Sequence, residues 1–136
     1  MKSRVIVAVF IEKEGKILLG QKPKDVGPYT NTWHLPGGGA NLEVESLEDA
    51  VKREVMEETG LELLSIERLE FDEDYEPDKK NEMTHYVFLR FQVEPVNMNA
   101  KANDDLAVLK WFDKSELKNI PLARPLEKNL KERGWI

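Results

Sequence analysis

Cysteine is absent from this 136-residue chain. Disulfides, thiolate zinc sites and a cysteine nucleophile are therefore excluded, and the composition suits a reducing cytoplasm. Histidine occurs twice, at His34 and His85, with no HExxH or paired spacing, so both read as structural residues. Long apolar runs are missing as well. The stretch Val5 to Ile11 stops at Glu12, Lys13 and Glu14 and carries no small-residue cleavage site. It is far short of the roughly 20 residues that cross a bilayer, and its β-branched content reads as a core strand. Basic charge is in deficit: 20 Lys and Arg stand against 26 Asp and Glu, a net charge of −6. No basic face is available for duplex nucleic acid, although a small phosphorylated ligand held through metal ions stays open. The chain also lacks a GxxxxGK[ST] loop, a GxGxxG run and a GxSxG elbow, which removes three common phosphate and acyl chemistries.

What remains reads as one domain over residues 1–136, with no repeat or linker. "RVIVAVFIEKEGKILLGQK" predicts two strands around the turn Glu12–Gly15, and "PKDVGPYTNT" an irregular loop. "WHLPGGGA" predicts a short strand breaking into a glycine turn. Ser46 opens a helix with a capping-box pattern, and Leu47, Ala50, Val51 and Val55 give it an apolar stripe that ends at Gly60. "LELLSIERLEFDEDYE", "MTHYVFLRFQVEP" and "LAVLKWF" predict three more strands. Ser115 is the expected cap of a short helix, and Leu126 and Leu130 mark a last helix that closes at Gly134. This order predicts an α/β (α+β) domain with a mixed sheet between helices.

The chemistry concentrates in "GGGANLEVESLEDAVKREVMEETGL", Gly37 to Leu61. On a helix Glu54, Glu57 and Glu58 share a side, because residues three and four apart are neighbours. Two bare carboxylates about 6 Å apart repel by about 3 kcal/mol at an effective dielectric near 20, and far less on an open helix. An acidic helix face alone is thus an ordinary solvated surface. Its setting argues otherwise. A glycine turn lets backbone carbonyls approach a ligand closely, and carboxylate and carbonyl oxygens are what Mg²⁺ and Mn²⁺ prefer. Arg53 can orient a neighbouring carboxylate from behind.

These residues resemble the signature of the Nudix hydrolases, G-x5-E-x7-R-E-U-x-E-E-x-G-U, with U a bulky aliphatic residue. Gly39, Glu45, Arg53, Glu54, Val55, Glu57, Glu58, Gly60 and Leu61 meet every position. Seven of the nine demand a single residue type, so chance would produce the pattern in fewer than about one window in a million. "WHLPGG" ahead of the box and "LKWFDKSEL" near the end resemble the family's flanks. One departure is Val44, where most members place glycine before the first box glutamate; the turn from Pro36 to Glu45 is also one residue longer than usual.

The resemblance implies an α/β/α sandwich and a Mg²⁺-dependent pyrophosphohydrolase, with Mn²⁺ as a substitute. It acts on a nucleoside diphosphate linked to another group, foremost a nucleoside triphosphate or an oxidised nucleotide. Glu54, Glu57 and Glu58 are the implied metal ligands, with Glu45 joining through water and a carbonyl of Gly38 or Gly39 completing the set. Glu57 or Glu54 is an implied base, with Arg53 orienting them. A distal acid, Glu82, Asp104 or Asp105, is an alternative base. Lys22 stands where many members carry an arginine that meets substrate phosphate. Trp33, Tyr29 or Phe71 can stack on a base, although Trp33 also fits the core beside Leu35. A nucleotide-sugar or ADP-ribose pyrophosphatase is the nearest competing enzyme, and a non-catalytic nucleotide-binding module the competing class. A homodimer is expected only by analogy with relatives.

Overall fold

The computed structural model describes residues 1–136. Strands β1 (Lys2–Lys13) and β2 (Lys16–Gln21) form the expected hairpin, turning at Glu14 and Gly15, both at positive φ. A short strand β3 (Gly37–Gly39) is followed by helix α1 (Leu47–Thr59). Strands β4 (Leu63–Pro77), β5 (Met83–Pro95) and β6 (Val108–Asp113) come next, then a 3₁₀ turn (Lys114–Asn119) and helix α2 (Arg124–Glu132).

The sheet runs β4-β5-β1-β2-β6, with β3 also paired to β1. β1 and β5 lie parallel at its centre and every other pairing is antiparallel. Side-chain alternation on β1 divides the interior. Val7, Val9 and Ile11 pack against Ala50, Val51 and Val55 of α1. Ala8 and Phe10 turn the other way, toward Leu126 and Leu130 of α2. One sheet between two helical layers is the sandwich expected.

Local signals set the helix ends. Ser46 Oγ accepts from Asp49 N at 3.1 Å, and Gly60 closes α1 in the left-handed conformation at φ 73°. The 3₁₀ turn differs from expectation: its cap is Asp113, whose backbone N–H donates to Glu116 at 2.9 Å, and not Ser115. Trp33 and His34 form only isolated bridges, to Leu122 and Gly20, while the expected glycine turn is itself a strand: Gly37–Gly39 pair with Ile6–Ala8, and the turn falls at Leu42–Val44.

Candidate active site

A cavity of about 250 Å³ opens between the glycine strand, α1, β5 and the start of α2. The β3 backbone is its hinge with α1. Gly37 N–H donates to Glu58 Oε1 at 2.7 Å. A Cβ on Gly38 would fall 2.5–2.7 Å from the Glu54 carboxyl atoms, so only glycine lets that carboxylate lie against the strand.

Arg53 organises the rim. Its Nε and Nη2 donate to the two oxygens of Glu45 at 2.8 Å each, a bidentate pair. Nη1 donates to Glu54 Oε1 at 2.8 Å and Glu57 Oε2 at 3.2 Å, while Nη2 also reaches the Gly39 carbonyl at 3.1 Å. The guanidinium holds the Glu45 carboxyl down to about 2.

The three helix glutamates do not share one environment. Glu54 and Glu58, one turn apart, are 8% and 4% exposed, whereas Glu57 stays at the solvent edge and does not line the cavity. Burial pushes the Glu58 carboxyl up to about 8, with Glu54 adding to the rise and Gly37 N–H and Lys22 opposing it. Burial raises Glu54 too, against the pull of Arg53. As arranged, no three acidic or histidine side chains stand close enough to hold an ion. Arg53 spreads Glu45, Glu54 and Glu57 around itself, and Glu58 turns to a backbone amide. The donor set nonetheless suits a divalent cation. Two carboxyl groups face a glycine strand that a Cβ would obstruct, and burial makes both resist ionisation despite Arg53 and Lys22 nearby.

Other sequence candidates sort clearly. Lys22 lines the cavity, its ammonium depressed by burial while Glu58 pulls the other way. Asp104 and Asp105 also line it. Their loop is pinned to the end of α1 by Asn103 N–H on Glu58 O and Lys101 N–H on Thr59 O, at 3.2 and 3.0 Å. Lys79 meets Asp105 at 3.0 Å. Tyr29 lines the cavity and donates from its hydroxyl to Asp74 at 2.8 Å.

Two candidates require correction. Trp33 does not line the cavity: it packs edge-on against Phe112, ring centroids 4.8 Å apart, because its neighbours on that face are the α2-side core. Glu82 pairs with Lys2 where the central strands β1 and β5 begin, at 3.4 Å, and lies outside the cavity. Phe71 is also outside, 74% exposed beside a register shift in β4. His85 stacks on Tyr75 and bonds to Glu73, outside the cavity.

Sequence reasoning missed Arg4, His34, Lys79, Tyr86, Phe88 and Arg90, which also line the cavity. One signal was available. Tyr86, Phe88 and Arg90 alternate on β5, which puts a charge at an inward position of a strong strand. His34 Nδ1 faces the Leu35 carbonyl at 2.9 Å and so must donate, which leaves Nε2 bare toward the cavity; burial and Lys22 hold the ring down to about 4.

The family model of the NUDIX domain matches residues 1–133. This chain belongs to the Nudix family. A nucleoside triphosphatase NudI of Klebsiella pneumoniae is 31% identical over the whole of both chains. Among solved structures, a MutT NUDIX hydrolase from Burkholderia pseudomallei superposes with a TM-score of 0.79 at 26% identity, covering 96% of this chain and 98% of that one. The MutT protein of Methanosarcina mazei Go1 superposes at 0.80 and 22% identity, over 97% and 92% of the two chains, and speaks for the fold. In Nudix terms, the box from Gly39 to Leu61 is the glycine strand's end, the turn and helix α1.

Proposed function

We propose that this Nudix hydrolase is a Mg²⁺-dependent pyrophosphohydrolase, with Mn²⁺ as a substitute, that cleaves a phosphoanhydride of a nucleoside triphosphate or its oxidised form. It works in the cytoplasm as one domain over residues 1–136, singly or as a homodimer. The observation that carries this reading is the pair of buried carboxyl groups, Glu54 and Glu58, set against a glycine strand in which Gly38 leaves room for the Glu54 carboxyl. The full-length likeness to a nucleoside triphosphatase supports the substrate class.

Glu54 and Glu58 would hold the cation, with Glu57 and Glu45 at the rim and a carbonyl of Gly38 or Gly39. A bound divalent ion neutralises anhydride charge and lowers the pKa of a water it carries. The chain's own residues do the rest. Arg53 fixes the carboxylates of Glu45, Glu54 and Glu57 in one array, so that they need no reorganisation. Lys22 offers a point charge to phosphate. Asp104 or Asp105, facing the glutamates from the pinned loop, takes the proton of the attacking water, as does Glu54 or Glu57 in the alternative assignment.

The cavity, about 250 Å³, is small beside the roughly 300–1,000 Å³ of common ligand sites, which favours one nucleoside over the two sugar units of ADP-ribose or a nucleotide sugar. The test is product release from triphosphates, ADP-ribose and nucleotide sugars, with Mg²⁺ and with chelator, for the wild type and Glu57→Gln. Metal-dependent turnover of triphosphates is expected. Tight nucleotide binding with no metal-dependent turnover on any substrate would make the protein a binding module instead.

A further inference from the structure

Every buried side-chain polar atom without a hydrogen-bond partner lies in one neighbourhood: His34 Nε2, Tyr86 Oη, Arg90 Nε and Nη1, and Asp72 Oδ1. His34, Tyr86 and Arg90 line the cavity, and Asp72 stands beside Arg90. Buried polar groups are ordinarily paired, so such a concentration marks a place that a ligand completes.

Arg90, like Tyr86, is only 2% exposed. Its register partner on β1 is Ala8, which leaves room for a long side chain over the sheet. Two anchors hold the guanidinium. Nη2 donates to the Pro125 carbonyl at the start of α2, 3.2 Å away, and Asp72 Oδ1 balances the charge 3.0 Å from Nη1 but off the line of a hydrogen bond. Nε is thus left without a partner, and Nη1 has only its charge contact with Asp72. Beside them is an aromatic platform. The Phe88 ring lies 5.9 Å from Arg90 Cζ, and Tyr29 faces Phe88 from the loop at 6.5 Å with the rings tilted by 48°. A stacking surface next to a fork of donors is the pattern that holds a heterocycle and reads its edge.

We infer that Arg90 reads the nucleobase and selects bases with a ring carbonyl oxygen, such as hypoxanthine, guanine and the pyrimidines, over adenine. The inference rests on the nucleotide reading above: phosphates at Lys22 and the glycine strand leave the base to the opposite wall. A guanidinium has five N–H donors and no acceptor. A carbonyl oxygen accepts from it directly. At the Arg90 fork the adenine amino group would set donor against donor, the mismatch that polar pockets discriminate against most strongly; the neighbourhood's unpartnered acceptors are His34 Nε2 and Asp72 Oδ1. Tyr86 Oη both donates and accepts, so it adds contact without choosing.

Hypoxanthine and adenine share one ring system and differ chiefly at the six-position, carbonyl against amino. The test titrates the metal-free protein, in chelator, with the monophosphates of inosine, guanosine, uridine and adenosine. In parallel, kcat/KM is measured with Mg²⁺ for inosine and adenosine triphosphates. The inosine monophosphate is expected to bind at least about 10-fold tighter than the adenosine form, and the kcat/KM ratio to follow. Arg90→Gln, whose amide offers a donor and an acceptor together, is expected to bring that ratio within about threefold while keeping adenosine monophosphate binding. If that variant does not fold, Arg90→Gln with Asp72→Asn removes the stranded carboxylate and carries the same expectation. Equal binding of the inosine and adenosine forms by the wild type overturns the inference without any variant. So does a variant that weakens all nucleotides by one factor, since a merely structural arginine would do that. Base-selective binding of monophosphates with no turnover of any triphosphate would sink the hydrolase reading and leave this one standing.

Discussion

The two ends of the cavity have opposite surpluses. At the glycine strand acidic oxygens outnumber their partners, and Arg53 alone ties together Glu45, Glu54 and Glu57. At the opposite wall a guanidinium is in excess, with Asp72 balancing the Arg90 charge and two nitrogens left without acceptors. The first surplus calls for a cation and the second for an acceptor oxygen. Under the proposed function they suit a ligand that brings metal at its phosphates and a carbonyl on its base. The ends also differ in origin. Gly37 to Leu61 build the acidic end almost within one segment, whereas Arg90 takes its setting from β1, β4, β5 and α2.

The comparison breaks most sharply at Arg53. Arg53→Ala frees three carboxylates and the Gly39 carbonyl at once, and metal-dependent kcat is expected to fall by about 100- to 1,000-fold. Base selectivity, measured as the inosine to adenosine ratio, should stay within about twofold because the other end is untouched. A loss confined to KM would contradict the positioning role.

Gly38→Ala is the next test. Its Cβ meets only the tip of Glu54, so melting should shift by less than about 1 kcal/mol while kcat drops about 10- to 100-fold. Unfolding of the variant would place Gly38 in the scaffold and not the site.

For Glu58 the expected effect is on the pH dependence of stability. Its carboxyl is raised from 4.5 in the unfolded chain to about 8 in the fold, so it binds more protons folded than unfolded between those values. Its contribution is therefore complete below pH 4.5 and is lost as pH rises through 8. Metal-free wild type should lose melting temperature from pH 6 to 9 by more than Glu58→Gln does, and Mg²⁺ should restore it. Parallel melting curves for the two proteins would refute the burial argument.

Tyr29→Phe is the mildest change. It removes the bond to Asp74 but keeps the ring beside Phe88, so about 1 kcal/mol of loop anchoring and a few-fold rise in KM are expected, with kcat unchanged.

How much of this was legible follows from the same contrast. Helix α1 and its Ser46 and Gly60 caps are local patterns, and the structure places them as read. The sandwich followed from element order. What the residues concealed was three-dimensional. Glu57 shares a helix side with Glu54 by spacing, yet only Glu54 and Glu58 are buried. Trp33 looks like a stacking residue, but Phe112 from β6 claims it for the core. Glu82 looked like a loop acid free to reach the site, and Lys2 at the start of the central strand β1 takes it. Arg90 was hidden because nothing near it in sequence announces Ala8, Asp72 or Pro125 as its surroundings.

The central claim is that Glu54 and Glu58 wait in the metal-free fold for a divalent cation. Mn²⁺ titration calorimetry at pH 7, repeated in buffers of different ionisation enthalpy, measures both affinity and protons released. With Glu58 protonated beforehand, the wild type is expected to release close to one proton per ion bound, and Glu58→Gln and Glu54→Gln to lose affinity, the former with its proton. Mn²⁺ bound with unchanged affinity by both variants and without proton release would contradict it.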